Sequence, residues 1–158
     1  MSKIGRASRN SSLMRLETLG NGTSAPTAKV IGDAESGEVY LIDHNHASAL
    51  TITLPAMKAG AYFKFIWKTQ MTDNAATVVF NSKDNTAGDF AGSIIEATEH
   101  DTDGAVATET AGSEDILTIG SANDTQIGTV LECVCDGSKW YWTGIVVAAA
   151  AGNAVFST

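Results

Sequence analysis

The stretch Leu50-Thr51-Ile52-Thr53-Leu54-Pro55, followed by Ala59-Gly60 and then Tyr62-Phe63-Lys64-Phe65-Ile66-Trp67-Lys68, sets the fold class. In the first run Leu50, Ile52 and Leu54 alternate with Thr51 and Thr53. That period of two puts apolar side chains on one face of a strand and hydroxyls on the other. Pro55 ends the run, because proline has no N–H to donate to a ladder. In the second run Phe63, Phe65 and Trp67 share a face, and Tyr62, Lys64, Ile66 and Lys68 share the opposite one. Two half-buried strands separated by a Gly-containing turn begin an all-β reading.

Working outward, the same punctuation recurs. Ser36-Gly37 precedes Glu38–Ile42, and Asp73-Asn74 precedes Ala76–Asn81. Further runs follow at Ser93–Thr98, Ile116–Ile119, Gly128–Cys135 and Lys139–Val147. Asp136-Gly137 between the last two is a hairpin signal, since that pair accepts positive φ cheaply. No helical stripe occurs after residue 20. Short strands at regular spacing predict an antiparallel β-sandwich or jelly-roll-like domain over residues 30–158. The polar segment 99–114 reads as a long rim loop. Residues 1–29, with Arg9-Asn10-Ser11-Ser12 and Gly20-Asn21-Gly22-Thr23-Ser24, read as an extended arm. Its brief apolar patch, Leu13, Met14 and Leu16, is too small to offset its ordering entropy alone.

Charge separates these parts. Residues 1–29 carry Lys3, Arg6, Arg9, Arg15 and Lys29 against Glu17, a net of +4. The remainder carries five lysines against seventeen acids, a net of −12, and Asp84 to Gly137 holds twelve acids with no Lys or Arg. A basic arm on an acidic body marks an interaction tail. An acidic body is the wrong surface for a nucleic-acid-binding domain, which presents a basic face. Charged residues are only 18% of the chain, against about 25% in ordinary domains. Thr, Ser, Ala, Gly and Asn replace them, which suits a β surface that meets other proteins. No apolar run reaches the roughly 20 residues of a membrane helix, and no leader-type apolar run occurs in residues 1–20.

Candidate chemistry is sparse. His44 and His46, at i and i+2, would share a strand face as a metal site needs, but no third ligand is indicated and a polar loop leaving a strand is expected. Asp101-x-Asp103-Gly104 resembles part of a calcium loop. An EF-hand would need a Glu where Gly112 stands. Cys133 and Cys135 lie in a strand pattern and read as buried free thiols rather than a redox or zinc pair. Phe63, Phe65, Trp67, Trp140 and Trp142 read as core aromatics. No nucleophile elbow, zinc-protease motif, phosphate loop or dinucleotide fingerprint occurs, so neither an enzymatic activity nor a cofactor is expected. The small apolar C-terminus, ending in Ala154-Val155-Phe156, is expected to be buried, with Val155 and Phe156 as candidate subunit contacts.

Two of these segments carry a resemblance. Leu50–Pro55 with Ala59-Gly60 and Tyr62–Trp67 resembles a pattern found in tailed-phage structural proteins. Asp136-Gly137-Ser138-Lys139-Trp140 resembles the D-G-x-x-W near the C-terminus of many of them. These are small β-sandwich proteins that decorate capsids or form knobs of tails and fibres. The resemblance spans residues 36–147 and carries no catalytic residue. It implies a symmetric oligomer, often a trimer, made in the host cytoplasm and bound through the major capsid protein to the virion exterior. Under that implication Lys3, Arg6, Arg9 and Arg15, with Leu13, Met14 and Leu16, would run across capsid subunits. A tail or fibre knob binding host carbohydrate through Tyr62 or Tyr141 is the alternative.

Overall fold

A computed structural model describes residues 15–83, 88–98, 106–108, 114–120, 124–149 and 152–158. Twelve strands occur among them: β1 (Leu16–Gly22), β2 (Lys29–Val30), β3 (Val39–His44), β4 (Leu50–Thr53), β5 (Tyr62–Trp67) and β6 (Thr77–Asn81). The rest are β7 (Phe90–Thr98), β8 (Val106–Thr108), β9 (Ile116–Gly120), β10 (Val130–Cys135), β11 (Trp140–Ala148) and β12 (Ala154–Ser157). The helical content among described residues is one 3-10 turn, Asp33–Glu35. A seven-stranded sheet, β1-β3-β5-β10-β11-β7-β8, packs against a five-stranded sheet, β12-β9-β6-β4-β2. The molecule is a sandwich without a closed barrel.

Strand direction corrects the expectation of antiparallel sheets. Pairs β1–β3, β3–β5, β2–β4, β4–β6 and β11–β7 are parallel. The cause is the route of the chain. From β1 to β6 successive strands alternate between the two sheets. Each return to a sheet therefore lays the new strand alongside its predecessor in the same direction, as a crossover connection requires. Side-chain alternation reports which face of a strand is buried and is blind to strand direction. The Asp136-Gly137 turn does join an antiparallel pair, β10–β11.

Two boundaries also move. Residues 16–29, expected within the arm, supply β1 and the first residue of β2, both edge strands, and Leu19 enters the core. The segment 99–114, expected as a loop, contributes β8, paired with β7.

Inward faces of both sheets build one core. Phe63, Phe65, Trp67, Trp140 and Trp142 are all fully or almost fully buried. Phe65 of the larger sheet meets Phe80 of the smaller one edge-on at 4.7 Å, and Trp142 meets Phe80 at 5.0 Å. Tilted and edge-on contacts of this kind contribute beyond area burial. Cys133 and Cys135 are free thiols on the same inward face of β10, and burial raises the Cys133 thiol far above its ordinary range.

Candidate partner interface

The sequence directs attention to the basic N-terminal stretch. Of its residues Lys3, Arg6, Arg9, Leu13 and Met14 lie outside the described residues, and Arg15 and Leu16 lie inside. The structure places Arg15 and Leu16 at the free edge of the seven-stranded sheet. Leu16 opens β1, opposite Val39, and is 62% exposed. The carbonyl of Arg15 accepts the Val39 N–H. A chain entering here is fixed by the ladder from its first strand residue onward.

An ion-pair network holds this edge. Arg15 Nη1 donates to Glu38 Oε1 at 3.3 Å. Lys29 Nζ lies between Glu17, at 2.7 Å, and Glu35, at 3.2 Å. The Glu35 carboxylate also accepts the Gly32 N–H and the Tyr40 hydroxyl. Burial works against the Lys29 ammonium, but the two glutamates outweigh it and hold it above its ordinary range. Burial likewise opposes the Glu35 carboxylate, and its three donors hold it below the usual carboxylate range. Tyr40 is pushed up strongly, by burial and then by Glu35. Oxygens of Glu17, Glu35 and Glu38 lie within 4.8 Å of one another, a spacing that would suit a metal ion. Lys29 and Arg15 already supply positive charge there, so the group reads as an anchor that joins β1, β2 and the 3-10 turn.

The other sequence candidates separate. His44 is the last residue of β3, fully buried and facing inward. Neither of its ring nitrogens makes a well-formed hydrogen bond, with only weak support from the Thr77 backbone. Burial first, and His46 second, hold it below its ordinary value. His46 lies beyond the strand, where its Nδ1 accepts the Ser48 N–H at 2.9 Å. The expected loop therefore begins one residue after His44, and nothing in the local pattern marks this imidazole as a core residue. Residues 99–105, with His100 and the Asp101–Gly104 motif, lie outside the described residues.

At the C-terminus β12 forms an edge of the five-stranded sheet. Val155 is half exposed, whereas Phe156 packs against the core. Glu96, buried on β7, accepts the backbone N–H groups of Gly152 and Ala154. That clamp ties β12 to the opposite sheet. It was invisible in the sequence, because nothing local in Glu96 marks it as inward. Tyr141 is 44% exposed, and its hydroxyl donates to Asp136 at 3.0 Å.

Comparison with protein-family models, with curated proteins and with solved structures finds no match.

Proposed function

We propose that this chain is a structural protein of a virion: a capsid decoration protein, without enzymatic activity, that binds the major capsid protein as a symmetric homo-oligomer and stabilises the head. The observation that carries the reading is the use made of the motif residues behind the resemblance. Asp136 Oδ1 accepts the N–H groups of Ser138 and Lys139, closing the β10–β11 hairpin. Trp140 then starts β11 fully buried, and Leu54 is buried ahead of Pro55. Every motif residue serves strand, turn or core, as in a protein whose surface rather than a pocket does the work. Charge supports the same reading, since residues 1–14, a +3 segment, lead into the edge of a −11 body.

Truncation tests it. Removing residues 1–14 leaves β1 and its ladder intact. The truncated protein is expected to bind capsids lacking the decoration protein at least tenfold more weakly than the full chain. Equal binding contradicts the role given to Lys3, Arg6 and Arg9. A carbohydrate-binding knob is a second reading, favoured by the exposed Tyr141 and half-buried Tyr62 in one outward row with Val134 between them. It requires glycan binding that Tyr141→Ala removes.

A further inference from the structure

The outward face of the seven-stranded sheet is organised in rows by the strand register. One row reads Thr18–Leu41–Ile66–Val130–Ile145–Ile95 across β1, β3, β5, β10, β11 and β7. Its neighbour reads Leu16–Val39–Lys64–Glu132–Thr143–Ser93, with Lys64 Nζ 2.8 Å from Glu132 Oε1. A third reads Tyr62–Val134–Tyr141–Ala91. Ile95, Ile145, Val134, Tyr141 and Leu16 are each 44–62% exposed. On a chain of net charge −8, these three rows hold one cation and one anion.

We infer that this face is a self-association surface, on which a second copy of the chain stacks about a two-fold axis running along the strands between β5 and β10. Such an axis lays β5 over the partner copy's β10, β3 over its β11 and β1 over its β7, and each row meets the same row. Lys64 then faces Glu132 of the other copy, and Glu132 faces its Lys64. Ile66 meets Val130, Leu41 meets Ile145, and Tyr62 meets Val134. Near the axis apolar meets apolar and opposite charge meets opposite charge by one operation, while farther out Thr18 falls on Ile95, Val39 on Thr143 and Leu16 on Ser93. The six strands of the rows span about 24 Å and the three rows about 17 Å, so the pair covers roughly 800 Å², the size of a weak, reversible contact. Sheet-on-sheet stacking is also how the chain builds its own core.

This inference goes beyond the capsid reading and is tested without capsids. Sedimentation of the full chain is expected to show a reversible dimer. A monomer at all concentrations, or a trimer, overturns the two-fold stack. Ile145→Lys, at an exposed position, is expected to leave the far-ultraviolet spectrum and melting temperature unchanged and to weaken dimerisation by roughly tenfold or more. A dimer that tolerates it overturns the inference. The decisive pair is Lys64→Glu and Glu132→Lys. Each variant alone places like charges across the axis and is expected to be monomeric. An equimolar mixture restores opposite charges at both contacts and is expected to recover the dimer, an effect that an intrachain role for the ion pair does not produce. Failure of the mixture to associate overturns the stack.

Discussion

Gly92 shows how narrowly one residue is specified. It sits in β7 at φ +132°, and a Cβ there would lie 2.0 Å from the Trp142 carbonyl oxygen on the neighbouring strand. Neither the dihedral nor the space admits a side chain, and backbone cannot move aside cheaply. Gly92→Ala is expected to cost about 2–4 kcal/mol, read as a lowered midpoint in urea. An unchanged midpoint contradicts the packing of β7 on β11. His44 makes a second prediction. Its folded value lies below the ordinary one because its neutral ring is buried beside His46. The unfolded chain therefore takes up the proton first as pH falls. Stability is full above the ordinary histidine value, about 6.5, and is lost as the pH drops below it toward the folded value. Melting temperature is expected to fall between pH 7.5 and pH 5.5, and His44→Leu is expected to flatten that stretch. A wild-type curve flat over that range contradicts the buried neutral imidazole.

Among the elements, β4 and β5 were readable because alternation and turn residues agree, and their observed bounds, Leu50–Thr53 and Tyr62–Trp67, differ from the expectation by one residue each. β1 was not, because Leu16-Glu17-Thr18-Leu19-Gly20-Asn21-Gly22 has a single buried residue and two glycines. It is a strand because an edge of β3 is available to it, and that is tertiary information. Parallel pairing was hidden for the same reason, since alternation is identical in both directions. The clamp on β12 depends on a contact spanning more than fifty residues, Glu96 to Gly152 and Ala154. Removing the carboxylate leaves the buried Ala154 N–H unpaired and frees that of Gly152. Glu96→Ala is expected to cost about 2–4 kcal/mol and to speed amide exchange in β12 more than in β10. Uniform exchange across the two strands contradicts the clamp.

On the scale of the whole molecule, two surfaces divide the work. The edge at β1, where the basic segment enters, is braced by Arg15–Glu38 and by Lys29 between Glu17 and Glu35. Three rows on the outer face of the larger sheet are largely apolar and hold one cation, Lys64, and one anion, Glu132. Capsid attachment through residues 1–14 and the backbone edge of β1, and self-association through a face that includes Leu16 and Thr18, use different groups of the same strand. The sequence allowed the sandwich, its core aromatics and its charge asymmetry to be read. The surfaces follow from register, which depends on strand order. The measurement that bears most directly on the proposed role is cryo-electron microscopy of the purified full chain mixed with capsids that lack their decoration protein. The account predicts regular added density on the capsid exterior at symmetry axes or capsomer interfaces, with the β1 edge toward the shell. Bare capsids beside free protein would contradict it.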